Sequence, residues 1–289
     1  MDRYIKKNGV LIPRLGCGTW YMGENAGIAS QEIKSIQTSI ENGVTLIDTA
    51  EMYGNGKAET LLGKAVGQFI AEKAVTREQL YVVSKVYPHN AGGSKIFQAC
   101  DNTLKRLGMD YLDLYLLHWR GSIPLSETVR CMEELKAEGK IKNWGVSNFD
   151  TEDMEELFSV ENGDKCSVNQ VLYHIGSRGV EYDLIPWLDE HDVPMMAYCP
   201  LAQGGTLKKN LYGSSTLRKI AQAHDCSIQN VMLAFVLRHS MTIAIPKASN
   251  PEHALDNAKA WECELTPREL DMINKEFPAP TYKTYLDIV

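Results

Sequence analysis

The sequence predicts an α/β fold: a (β/α)8 TIM barrel with an N-terminal β-hairpin plug and a short C-terminal tail. One observation is the count of strands. Short β-rich runs end near Gly18, Asp48, Lys85, His118, Ser147, Gln170, Tyr198 and Ile245, with helical patterns between them. Eight parallel strands is the number that closes such a barrel. A second is the texture of those runs. Tyr81-Val82-Val83 and Leu114-Tyr115-Leu116-Leu117 do not alternate, as expected of parallel strands buried on both faces. A third is continuity: the 289 residues contain no Pro/Gly/Ser-rich linker and no fixed-period repeat, so 1–289 reads as one barrel domain. A doubly wound open sheet is the alternative, and the lack of a G-x-G-x-x-G after the first strand weighs against it.

Taken in order, Asn8-Gly9 between two short runs predicts a hairpin, because both positions of its two-residue turn need positive φ. Helical periodicity covers 33–40, 58–69, 96–107, 129–135, 154–158, 184–188, 217–223 and 231–237. The acidic cluster Glu152, Asp153, Glu155 and Glu156 reads as a solvated face near a helix start. Residues 277–289 read as a tail.

A net charge of −7 argues against nucleic acid or an anionic membrane as the main partner. No apolar run is long enough to span a bilayer, and MDRYIKK at the start has no signal-peptide hydrophobic stretch. The expectation is a cytoplasmic, monomeric protein acting on a small molecule. The seven cysteines form no C-x-x-C pair and no cluster, which predicts reduced, mostly buried thiols rather than a zinc site or disulfide framework. His89, His174, His191, His224 and His239 show no metal-ligand spacing, so no metal is expected.

In a parallel barrel the strand C-termini share one mouth. Asp48, Lys85, His118-Trp119, Ser147-Asn148, Asn169-Gln170, Tyr198 and Lys247 all fall at predicted strand ends, with Tyr53 in the loop after Asp48. Singly, each has a bland reading as a solvated or packed residue. Together they would converge. Phenol has a pKa of about 10, a poor acid at neutral pH. An ammonium ~4 Å away at effective dielectric ~20 favours the phenolate by roughly 4 kcal/mol. That is up to about three pKa units, less the desolvation that opposes it. An aspartate beside the buried lysine keeps it charged. A neutral imidazole can orient a carbonyl oxygen. Asp48, Lys85, Tyr53 and His118 are thus the candidate unit for protonating an oxygen.

Four ordered segments then resemble the aldo-keto reductase family: 43–54 (GVTLIDTAEMYG), 114–119 (LYLLHW), 139–149 (GKIKNWGVSNF) and 245–250 (IPKASN). The resemblance covers nearly the whole chain. It implies a (β/α)8 barrel binding extended NADPH, with NADPH preferred over NADH. It implies reduction of small aldehydes or ketones, with dicarbonyls such as methylglyoxal as one candidate substrate. Tyr53 would be the acid, assisted by Lys85 and Asp48, with His118 orienting the substrate. Trp20 and Trp119, just past strands one and four, read as walls of the substrate pocket, with core aromatics as the plainer alternative. Ser147, Asn148 and Gln170 would hold the carboxamide, Tyr198 would stack on the nicotinamide, and Thr19 and Trp20 would lie beside it. The stretch from Cys199 through Leu201 and Gln203 to Gly205 would cover the pyrophosphate. Ile245, Lys247, Ala248, Ser249, His253 and Asn257 would form the adenosine end. The family often has serine at Cys199 and Ala248, arginine at His253 and proline at Arg120. Arg120 therefore predicts a more polar rim beside Trp119, and the short 119–124 stretch and tail predict an open pocket. Two rivals are a cofactor-binding regulatory or redox-sensing module on the same barrel, and a barrel hydrolase or isomerase using paired carboxylates. The second needs acids at several strand ends, where only Asp48 is so placed.

Overall fold

The computed structural model describes residues 2–289. Strands β1 (Tyr4–Lys7) and β2 (Val10–Pro13) pair antiparallel around Asn8 and Gly9, whose φ values are 50° and 78°. This is the predicted hairpin, with both turn residues in the left-handed region.

Eight parallel strands follow: β3 (Gly16–Gly18), β4 (Leu46–Asp48), β5 (Tyr81–Val86), β6 (Leu112–Leu117), β7 (Ile141–Ser147), β8 (Asn169–Leu172), β9 (Met195–Tyr198) and β10 (Thr242–Ile245). Each pairs with the next in chain order. Parallel bridges from Leu15 to Ala244 and from Gly18 to Lys247 bring the first and last strands together. The hairpin plugs the base. Ile5 and Ile12 pack with Leu46, Val83, Leu114, Leu116, Val168, Met196 and Ile243 inside the barrel. Each such buried side chain contributes roughly 1.5–3 kcal/mol relative to exposure. Buried Arg14 ties the plug down by donating to the carbonyls of Thr242, Leu237 and His239.

The outer layer holds α1 (Ala29–Glu41), α2 (Lys57–Ala71), α3 (Gly93–Leu107), α4 (Leu125–Ala137), α5 (Thr151–Ser159), α6 (Leu184–Glu190), α7 (Gly205–Gly213), α8 (Ser215–Ala223), α9 (Ile228–Leu237), α10 (Pro251–Ala258) and α11 (Pro267–Glu276). Three of these, α7, α10 and α11, are not among the periodic segments. α10 and α11 begin at Asn250-Pro251 and Thr266-Pro267, where a capping side chain precedes a proline, and α11 has a full capping box. The acidic cluster on α5 is more than a solvated face: Asp150 and Asp153 form a reciprocal capping box.

One expectation fails at the rim and one is refined. Arg120 is a charged side chain there, but it is not free. Its guanidinium pairs with Glu156 of α5 at 2.8 and 3.0 Å and donates to the carbonyls of Gly121 and Ile123, so its charge is engaged in clamping the β6–α4 loop. The tail does not leave the mouth open. Ser177 Oγ donates to Asp287, Lys283 pairs with Glu152 and Asp183, and Val289 lines the central pocket. Five cysteines are buried, while Cys199 and Cys226 are half-buried, and all seven are free thiols.

Candidate active site

Asp48 closes β4, and Lys85 sits one residue before the end of β5. β4 and β5 are neighbours, so both side chains reach the same interior point. Lys85 is fully buried, and its Nζ donates to Asp48 Oδ1 at 2.8 Å, Asp48 Oδ2 at 2.7 Å, the Thr49 carbonyl at 2.9 Å and Tyr53 Oη at 3.0 Å. An ammonium has only three protons, so this set uses all of them. Burial lowers the pKa of Lys85, and the Asp48 carboxylate opposes that shift.

The sign of the phenol shift differs from the electrostatic expectation. Tyr53 is raised well above its ordinary value, first by burial and then by the Asp48 charge. The ammonium is close enough to favour the phenolate, but it is bonded to both oxygens of Asp48. The pair is nearly neutral as seen from the phenol, so desolvation wins. Tyr53 therefore keeps its proton at neutral pH. Its oxygen accepts from Lys85, which leaves its own O–H to be donated elsewhere.

His118 follows β6 and meets the Tyr53 ring edge-on, at 5.9 Å between centroids. Burial, aided by the Lys85 charge, lowers its pKa to about 2, so the imidazole is neutral across the physiological range. Its Nδ1 is buried without a hydrogen-bond partner.

Tyr53 and His118 line a cavity of about 50 Å³ with Trp20, Met52, Ser147, Asn148, Gln170, Tyr198 and Val289, and the Lys85–Asp48 pair lies behind Tyr53. Trp20 stacks toward Tyr53 at 6.3 Å. Trp119 is not in the lining. It sits on the rim, 38 % exposed, with its ring edge-on to Tyr87. Thr19 is fully buried, and its hydroxyl donates to the Asp48 carbonyl at 3.0 Å, tying β3 to β4.

Ser147, Asn148 and Gln170 meet on one side. Ser147 Oγ donates to the Gln170 carbonyl at 2.8 Å, Asn148 Nδ2 to the His118 carbonyl at 3.1 Å, and Tyr198 Oη to Asn148 Oδ1 at 2.9 Å. Gln170 Nε2 turns inward and donates to Asp48 Oδ1 at 2.8 Å. Asn169 and Gln170 open β8 rather than end it, yet register with Ser147 keeps Gln170 at the site.

In the β9–α7 loop that follows Tyr198, Cys199 and Ala202 hold positive φ, and Gln203 and Gly205 are exposed. The β10–α10 loop follows the last strand. Ile245 and Ala248 are buried there, Lys247 is exposed without an ion pair among the described residues, and Ser249 is half-exposed. His253 is exposed on α10, and Asn257 is buried. Asn250 caps α10 by accepting from the His253 N–H at 2.8 Å. Ser35 and Gln31 of α1 hold this loop by its carbonyls. Sequence reasoning missed these two, as well as Met52 and Val289. Apolar residues and short polars on a distant helix carry no local signal for a site.

A barrel whose mouth holds a buried lysine–aspartate pair, a protonated phenol and a neutral imidazole defines a class, an oxidoreductase acting on carbonyl or alcohol groups. The Aldo/keto reductase family model matches residues 14–276, and the chain belongs to that family. It is 50% identical over 280 residues to the methylglyoxal reductase YeaE of Escherichia coli, covering 97% of this chain and 96% of the relative. It is 34% identical over 267 residues to a glyoxal reductase of Bacillus subtilis, covering 92% and 90%. Among solved structures, it resembles an aldo/keto reductase from Klebsiella pneumoniae in complex with NADP and acetate, at TM-score 0.95 and 46% identity over all of both chains. A second Klebsiella pneumoniae aldo-keto reductase structure, in complex with NADPH, matches at TM-score 0.92 and 48% identity, over 99% of this chain and 100% of the other.

Proposed function

We propose that this chain reduces small aldehydes and dicarbonyls such as methylglyoxal to alcohols, with NADPH as the reductant and Tyr53 as the general acid. One observation carries the acid assignment: Lys85 Nζ donates to Tyr53 Oη, so the phenol's own proton is free for an oxygen in the pocket. The small cavity and the methylglyoxal and glyoxal reductases among the relatives support a small substrate.

The residues fit the cofactor. Ser147, Asn148 and Gln170 combine donors and acceptors that match a carboxamide, and they line the pocket beside the Tyr198 ring. Lys247 offers an exposed cation at the other end for a 2′-phosphate, with Ser249, His253 and Asn257 close in sequence. The loop from Cys199 through Leu201 and Gln203 to Gly205 would cover the pyrophosphate. When bound, NADPH supplies the hydride for the carbonyl carbon. His118, neutral, donates a hydrogen bond to the carbonyl oxygen and orients it. Trp20 and Met52 exclude water from one side. As negative charge develops on that oxygen, Tyr53 gives up its proton. The resulting phenolate is stabilised by the Lys85 ammonium, which Asp48 keeps charged. The regulatory-module alternative has no observation in its favour.

The test is Tyr53→Phe, assayed by methylglyoxal-dependent loss of NADPH absorbance. Turnover should fall ~10²–10⁴-fold, the usual contribution of a positioned acid. NADPH affinity, read by quenching of protein fluorescence, should be unchanged. Near-native turnover in this variant would remove Tyr53 from its role.

A further inference from the structure

Outside the barrel, a second cavity of about 340 Å³ lies between the segment leading into α1, the start of α2 and the end of α3. Its size is that of small-molecule sites. Ala26, Ala29, Ile33 and Leu61 give it apolar walls, and its charged lining is cationic: Lys57, Lys64 and Arg106. In a protein of net charge −7 this is a local reversal of sign, and a cleft lined by one sign of charge concentrates ligands of the other. Lys57 and Lys64 are exposed and form no ion pair among the described residues, so both are available. Two nearby carboxylates are engaged: Glu32 accepts from the Gly23 N–H, and buried Glu59 pairs with Arg106 and accepts from Ser84 Oγ at 2.7 Å. A third, Glu24, packs against the Gly54 turn beside Lys57 and forms no ion pair among the described residues.

Two physical links join this cavity to the catalytic unit. Asn55 and Gly56, which line it, belong to the same turn as Tyr53, and Gly54, Asn55 and Gly56 hold successive positive φ values of 56°, 54° and 82°. A Cβ at Gly56 would lie 2.5 Å from Arg106 Cδ, so any side chain there would displace the Arg106 side chain. The other link is Arg106 itself. It holds Glu59, which bonds Ser84, the residue before Lys85, and the Glu59 charge helps keep that lysine protonated.

We infer that this cavity binds a small amphiphilic anion, a short acyl or aryl body with one anionic head group, and that its occupation alters the turn carrying Tyr53. The apolar body rests on Ala29, Ile33 and Leu61, and the head group lies among Lys57, Lys64 and Arg106. The ligand touches neither the carbonyl pocket nor the cofactor cleft, so it changes turnover without competing with the substrate.

The experiment titrates octyl phosphate into the NADPH-saturated protein by calorimetry, with inorganic phosphate and octanol as probes of the head and body alone. Octyl phosphate should bind about tenfold more tightly than either probe. The double variant Lys57→Ala/Lys64→Ala should lose about tenfold in affinity. Ala29→Trp, which fills the cavity and leaves its charges in place, should abolish binding. In the native protein, octyl phosphate should change kcat by about twofold or more with KM for the carbonyl unchanged, and neither variant should respond. Absence of binding, equal binding to both variants, or purely competitive inhibition against the carbonyl would overturn the inference. The calorimetric arm does not depend on the reaction proposed above, so its failure and the failure of that reaction are separable.

Discussion

At the Tyr53 end of the mouth, a lysine, an aspartate and a phenol lie inside the protein with their hydrogen bonds made to one another. At the Lys247 end, the cation faces solvent with no ion pair among the described residues, and His253 is exposed on the first turn of α10. The difference is one of solvation. A charge removed from water must be matched by the fold, so the Tyr53 end is organised before any ligand arrives. A charge left in water can wait for its partner, at the cost of weaker and salt-screened attraction. On the proposed function, chemistry would sit where geometry is enforced, and recognition of the cofactor's phosphate where it is not.

The largest test of this contrast is Lys85→Met. It leaves Asp48 as an uncompensated buried charge, which typically costs about 3–5 kcal/mol. Both denaturant stability and reduction should fall steeply. Asp48→Asn should be milder in turnover, because the ammonium survives in part. If Lys85→Met proved harmless while Asp48→Asn abolished activity, the acid unit drawn here would be wrong.

At the other end, Lys247→Ala should leave stability within about 0.5 kcal/mol of native, since the side chain is exposed. It should weaken NADPH by roughly tenfold or more, with NADH nearly unaffected, because only NADPH carries the 2′-phosphate. Dissociation constants from fluorescence quenching decide this. Equal losses for the two cofactors would show that the loop does not read the phosphate.

A third measurement concerns His118. Its pKa is lowered to about 2 by burial, against about 6.5 for an exposed histidine. The unfolded chain therefore binds a proton that the folded one refuses as pH falls below ~6.5. The stability due to neutral burial is complete above that pH and declines below it, by up to ~1.4 kcal/mol per pH unit. His174, lowered to about 4 by burial, contributes in the same direction. Denaturant titrations between pH 7 and pH ~5 should show a shallower loss in His118→Asn than in the native protein. An identical slope would mean that His118 takes up its proton without unfolding.

The smallest effect expected is at His253. An arginine there would add a permanent charge and a bidentate fork that an imidazole cannot supply. His253→Arg should tighten NADPH about severalfold, by ~1 kcal/mol, and leave NADH unchanged. A gain shared by both cofactors would separate this position from the phosphate.

Much of the architecture was legible from local signals. Strand runs, the Asn8-Gly9 turn and the helical periods are short-range patterns, and so is the alignment of Asp48, Lys85, His118, Ser147 and Tyr198 at or beside strand ends. Parallel pairing in chain order converts that alignment into a shared mouth, which is why the acid unit could be assembled on paper. The start of α7 at Gly204-Gly205 was hidden by weak helix formers, and Trp119 lies one residue past the pocket wall that its neighbour His118 occupies. By itself, then, the sequence determined the barrel, its plug and the residues that share the rim. The tertiary structure alone decided three things: that burial outweighs the lysine at Tyr53, that Arg120 is drawn into Glu156 rather than the pocket, and that Val289 folds back into the central cavity. Each depends on how much water is excluded and on contacts between residues far apart in the chain, and neither quantity is carried by any window of sequence.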